Sequence, residues 1–247
     1  LRKVMEEVLR PENFCVSYTG ERESLDVVKA QAAGIKKVLF HGQKPESVKQ
    51  APCIKKNEAF KTSGQVQYVA QNGNFRKKGL EYTGALEILK VILSYDYLWI
   101  NLRVKGGAYG CMSGFKRNGE SFLVSYRDPH LKRTLEVYQG VPDYIRAFEA
   151  DEREMTKYII GTISNKDVPR TPQMQGSISK TAYFSNVTED MLQKERNQIL
   201  GAQKEDIQKL AALVEAVLSD DQICVVGSET AIEKAEDVFM EVKPLIG

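Results

Sequence analysis

Two periodicities divide the sequence: apolar residues spaced by three or four mark helices, and short runs of β-branched and aromatic residues mark strands. LRKVMEEVL at the start reads as the end of a linker helix over residues 1–12, broken by Pro11-Glu12-Asn13. FCVSYT (Phe14 to Thr19) reads as a buried strand bounded by Gly20. A helix over Glu21 to Phe40 follows, striped by Leu25, Val28, Ala32, Ile35 and Leu39, and this stripe is expected to lie on a sheet. Residues 43–57 read as a connection. Alternation resumes over Glu58 to Phe75, where Val66, Tyr68 and Ala70 alternate with polar neighbours as in a strand with one wet face, closed by a turn at Asn72-Gly73-Asn74.

Thr83 to Arg103 reads as one long helix with a broad stripe of Leu86, Leu89, Ile92, Leu93, Leu98 and Ile100. CMSGFKR and ESFLVSYR flank Asn118-Gly119, the pair favoured in a two-residue type I′ hairpin. Helices are expected over His130 to Ala150, Asp151 to Ser164, Thr171 to Phe184, Thr188 to Leu200 and Lys204 to Leu218. Asp151-Glu152 and Thr188-Glu189-Asp190 supply oxygen acceptors and negative charge at helix starts. QICVVG (Gln222 to Gly227) reads as a strand and Thr230 to Val242 as a closing helix. This order predicts an α+β fold, a mostly antiparallel sheet of about five to six strands with helices on one face.

The segment YDYLWINLRVKGGAYGCMSGF carries the most specific chemistry. On an unbroken helix Arg103 and Tyr109 would be turned about 240° from one another, so only the break at Gly106-Gly107 lets them face one point. The plainer reading makes Arg103 a cation at a helix C-terminus and Tyr109 a core residue, a role Lys105 fills equally well. One glycine suffices for a helix cap, and further glycines point to close approach of the backbone by something else. GGAYG runs helix to strand, unlike the strand-to-helix loops that hold nucleotide phosphates.

Composition removes other classes. At 247 residues, 42% hydrophobic and 28% charged, the chain reads as one globular domain over 1–247. Lys and Arg number 35 against 33 Asp and Glu, with signs interspersed, so no nucleic-acid partner is expected. Cys15, Cys53, Cys111 and Cys224 form no C-x-x-C pair, which suits a reducing compartment. No apolar run approaches the roughly 20 residues that span a bilayer, and no membrane partner is expected. His41 and His130 are the only histidines, too few for a self-contained metal site, so no metal is expected on this chain. The acidic run Glu149 to Glu154 reads as a solvated helix start, not paired catalytic carboxylates.

LRVKGGAYGC, DEREMTKYIIGTIS, DVPRTPQMQG and the VTEDML pattern from Val187, taken in order, resemble the C-terminal domain of a pitrilysin/insulinase-family zinc metallopeptidase of the presequence-protease type. The resemblance spans about half the chain. It implies a clamshell of two halves, each of two α+β domains, enclosing a chamber where unstructured peptides are cut, with this chain as the fourth domain. Its partners would be the N-terminal half of the same polypeptide and unstructured peptides. Zinc would be the cofactor, held by an inverted His-x-x-Glu-His motif in the N-terminal half; that motif is absent here, so the fragment alone is expected to be inactive.

The resemblance gives Arg103 and Tyr109 assisting catalytic roles and makes Arg103, Gly106, Gly107 and Tyr109 substrate-binding. Tyr109 would donate its hydroxyl to the developing oxyanion, and Arg103 would grip peptide carbonyls with its fork of donors. The alternative is a non-catalytic scaffold or peptide-binding subunit of the same fold. A bacterial cytoplasm or an organelle matrix suits either reading.

Overall fold

The computed structural model describes residues 1–43, 54 and 56–246. They fall into two compact units, one of residues 1–53 and 168–191, the other of 54–167 and 192–247. The connection expected over 43–57 lies largely outside the described residues.

The first unit is helical: α1 (Arg2–Val8), α2 (Leu25–Val38) and α7 (Pro172–Phe184). Thr171 caps α7 by accepting from the Met174 N–H. Arg10 is its buried residue among those described; it donates to the Glu12 carboxylate at 2.7 Å and the Gly42 carbonyl at 2.6 Å, and lies over the Phe40 ring. Two expectations fail here. Phe14 to Thr19 is not a strand: it pairs with no strand among the described residues, and propensity without a neighbouring strand to hydrogen-bond makes no sheet. Nor does the α2 stripe reach a core, since α2 buries no residue.

The second unit holds a six-stranded sheet of β1 (Glu58–Thr62), β2 (Gln67–Asn74), β3 (Gly110–Phe115), β4 (Glu120–Asp128), β5 (Gln222–Ser228) and β6 (Glu241–Pro244). The order is β3-β4-β2-β5-β1-β6; β1 pairs in parallel with β5 and β6, and the other pairings are antiparallel. Helices α3 (Ala85–Ile92), α4 (Lys132–Gln139), α5 (Val141–Arg146), α6 (Glu152–Lys166), α9 (Lys204–Gln208) and α10 (Ala211–Leu218), with α8 (Glu189–Leu200) from Leu192 on, enclose the core with one sheet face. That core includes Val69, Leu89, Leu123, Tyr138, Val214 and Val225. The α+β class and the mostly antiparallel sheet therefore hold. Asp151 and Glu154 form a reciprocal capping box on α6, so the acidic run is a helix start.

The departures are physical. On β2 the buried positions are Gln67, Val69, Gln71 and Gly73, while Tyr68 faces out. The Gln67 amide is satisfied on both sides, donating to the Pro129 carbonyl at 3.1 Å and accepting from the Ser228 N–H at 3.0 Å, whereas Gln71 accepts from Gln139 through its oxygen and its buried Nε2 finds no protein acceptor among the described residues. Asn72-Gly73-Asn74 continues the strand instead of turning, since it pairs with Glu120 to Phe122 on β4, and the glycine there admits α10, where a Cβ would stand 2.0 Å from the Val217 carbonyl oxygen.

The β3–β4 hairpin forms, but not by a type I′ turn. Only Gly119 has positive φ (90°), the Gly119 N–H closes on Lys116, and the Lys116 N–H bonds Glu120, which is a turn followed by a glycine bulge. The helix expected over His130 to Ala150 splits at Gly140-Val141-Pro142 into α4 and α5. The closing helix shrinks to α11 (Glu229–Glu233), and its expected end becomes β6, where Val242 pairs with Ala59. No helix is long and apolar enough to cross a membrane among the described residues.

Candidate functional site

The helix beginning at α3 does not remain an α-helix. After Ile92 it continues through π-helical turns at Leu93–Tyr97 and Trp99–Val104, with Lys105 N–H bonding the Ile100 carbonyl at 2.9 Å. Such turns are uncommon and concentrate at functional sites. Gly107 then takes the left-handed conformation (φ 79°), its N–H bonds the Arg103 carbonyl at 2.9 Å, and the chain reverses into β3. Gly106 is buried, and a Cβ there would lie 2.4 Å from the Leu102 carbonyl oxygen. Both glycines are thus required by the helix exit itself.

The reversal brings Arg103 and Tyr109 together. The Arg103 guanidinium lies over the Trp99 ring at 4.1 Å and 6.0 Å from the Tyr109 ring centroid. Tyr109 is 64% exposed, so it is not core, and its backbone N–H is held by the carbonyls of Tyr126 (3.1 Å) and Arg127 (3.3 Å) on β4. Its ring meets Tyr126 edge-on at 5.7 Å, and Tyr126 meets Tyr68 at 5.3 Å. Arg127 stands 5.9 Å from the Tyr109 ring. No carboxylate pairs with Arg103 or Arg127 among the described residues, in a chain whose cations are widely paired. Burial pushes the adjacent Cys111 thiol up from its ordinary value, with the Arg103 charge working the other way.

The result is a solvent-facing corner with guanidinium and phenol donors on an aromatic floor, suited to a carbonyl oxygen, an oxyanion or a carboxylate. Trp99, Tyr126, Tyr68 and Arg127 escaped the sequence reading. Trp99 could have been found, since it precedes Arg103 by four positions, the helical stacking distance. Tyr126 and Arg127 could not, because a β-bulge places them.

A family model described as the PreP C-terminal domain matches residues 57–229. The chain belongs to this family. Protein HypA of Clostridium perfringens is 42% identical over 246 residues, covering 100% of this chain and 25% of that protein. Presequence protease 1, chloroplastic/mitochondrial, of Arabidopsis thaliana is 34% identical over 192 residues, covering 76% of this chain and 18% of that protein. The chain therefore spans a quarter or less of the length of these curated relatives. Among solved structures, the peptidase M16 inactive domain from Pseudomonas fluorescens superposes with a TM-score of 0.54 at 18% identity, over 91% of this chain and 52% of that one, which supports the fold. As a PreP C-terminal domain, the chain brings together no three His, Cys, Asp or Glu side chains able to hold a metal among its described residues.

Proposed function

We propose that this domain is the C-terminal, substrate-binding part of a zinc-dependent peptidase that degrades unstructured peptides in a closed chamber. Zinc held by the N-terminal half would supply an activated water. Water addition to a peptide carbonyl builds negative charge on its oxygen, and the Tyr109 hydroxyl donates to that oxygen. Arg103, braced on Trp99, donates its planar fork to peptide carbonyls and holds the chain in register. Gly106 and Gly107 let the reversal bring these two side chains to one surface.

One observation carries the reading: an arginine without a carboxylate partner among the described residues faces an exposed tyrosine across an unusual helix exit. The test is peptide turnover by the full-length protein, with and without a chelator. Tyr109→Phe is expected to lower kcat about a hundredfold, the usual cost of one oxyanion donor. Arg103→Ala is expected to raise KM and lower kcat, with unfolding midpoints near wild type. Near-normal turnover in both variants would sink the assignment. Peptide binding without turnover in the wild type would favour the scaffold or peptide-binding subunit instead.

A further inference from the structure

We propose that Arg127 is a second cationic contact of the Tyr109 corner and receives a carboxylate carried by the bound peptide. This rests on the peptide-binding reading of Arg103 and Tyr109, and adds to it a preference among peptides.

The backbone carries the first part of the argument. Gln67 pairs with Asp128 and Val69 with Ser125, so Tyr126 and Arg127 together stand opposite Tyr68 as a bulge in β4. Arg127 sits there at φ 49°, a left-handed conformation that crowds the Cβ of any L residue and that glycine adopts without penalty. The same bulge supplies both carbonyls that hold the Tyr109 N–H. One irregularity thus fixes the tyrosine and turns an arginine out beside it.

Charge carries the second part. The nearest acid in sequence, Asp128, is buried and engaged: its carboxylate accepts from the Thr134 hydroxyl at 2.7 Å and from the His130 N–H at 2.9 Å. The Arg127 guanidinium has no hydrogen bond or ion pair among the described residues, only its 5.9 Å approach to the Tyr109 ring. Two guanidiniums about equally close to one exposed phenol, neither neutralised, make a site for negative charge. Backbone carbonyls satisfy one of them through Arg103. The other matches a carboxylate, from an acidic side chain or from a free peptide C-terminus.

The test is binding of fluorescein-labelled unstructured peptides to the full-length protein, read by anisotropy. One pair of peptides differs by an internal Glu or Gln, and a second by a C-terminal acid or amide, which separates the two sources. Wild type is expected to prefer one carboxylate member by roughly fivefold, the scale of a solvent-exposed ion pair. Arg127→Gly removes the charge while relieving the backbone, so its thermal midpoint should equal or exceed wild type while the preference falls to about one. Arg127→Lys should keep most of it. Arg103→Ala should weaken both members of each pair alike. A preference that survives Arg127→Gly, or an equal loss for acidic and neutral peptides, overturns the inference. Wild-type binding without an acid preference overturns this inference alone, and no binding of any peptide overturns the parent reading with it.

Discussion

Two arginines of this domain make the same local contact and differ in everything around it. Arg117 lies over the Tyr82 ring at 5.0 Å, and Arg103 over the Trp99 ring at 4.1 Å. Arg117, however, bonds the carboxylate of Glu195, which is only 5% exposed and is shared with Lys166. A carboxylate taken out of water must be paired, so folding alone accounts for Arg117. Burial, with the charges of Glu87 and Glu195, pushes the Tyr82 hydroxyl far above its ordinary value, as expected inside a closed network. Arg103 answers no buried charge among the described residues. The stack identifies neither role; the counter-charge does. The groove of about 770 Å³ beside β6 follows the Arg117 pattern, because Lys61 is bonded to Glu233 at 2.8 Å and Lys243 to Glu241. Empty space is a poorer guide to the site than an unanswered charge.

The strongest way to break this contrast is to remove the counter-charge. Glu195→Ala leaves Arg117 and Lys166 without their shared carboxylate and is expected to cost about 3 kcal/mol, the lower range for breaking a buried pair. Arg103→Ala should cost no more than about 1 kcal/mol, the worth of an exposed cation–aromatic contact. Urea midpoints at matched slopes measure both. Equal destabilisation by the two substitutions would make Arg103 another structural arginine.

The sequence made the second unit far more legible than the first. Regular stripes such as Leu86, Leu89 and Leu93, the Asn118-Gly119 turn and the capping acids of α6 are local signals, and each marked its element. The phase of β2 was hidden, because Gln67 and Gln71 enter the core through bonds to residues about 60 or more positions away. The Phe14 to Thr19 run failed for the opposite reason: strong propensity met no partner strand among the described residues. At the site, helix geometry showed that the glycine break lets Arg103 and Tyr109 face one point, while spacing alone left the helix-capping reading open. The π-helical turns and the β4 bulge were not, since both are compromises between neighbouring elements and leave no fixed composition.

The glycines sharpen the comparison next, because they separate a helix exit from a substrate cradle. Gly106→Ala would force a Cβ to within 2.4 Å of the Leu102 carbonyl oxygen, an overpacking expected to cost about 2 kcal/mol. Gly107→Ala places a Cβ at φ 79° and should cost about 1 kcal/mol. Thermal melts and peptide KM are measured together. Loss of stability with unchanged KM at permissive temperature assigns the glycines to the reversal that aims Arg103 and Tyr109. Unchanged stability with raised KM assigns them to the peptide.

The smallest effect probes the Arg117 side through pH. Burial works against ionisation of Asp220, but the Lys77 ammonium at 3.0 Å and the Asn74 N–H at 2.9 Å outweigh it and hold the carboxyl below its ordinary value. A carboxyl depressed in the folded state contributes stability above its unfolded value and loses that contribution as pH falls through its folded one. Asp220 is thus expected to add stability near neutrality and to lose it on the acid side of the ordinary carboxylate range. Asn74 also donates to the Asn118 carbonyl of the hairpin turn, so this loss should loosen the strand end that supports Arg117. Asp220→Asn should therefore lower the urea midpoint at neutral pH and flatten its fall between about pH 5 and pH 3. The Tyr109 corner has no such depressed carboxylate among the described residues, so binding of the peptides without the added carboxylate, the internal-Gln and C-terminal amide members, should not share this acid limb. A parallel loss of binding and stability in the Asp220 variant would show that the two regions are coupled, and the contrast between a closed and an open arginine would no longer describe independent parts of the domain.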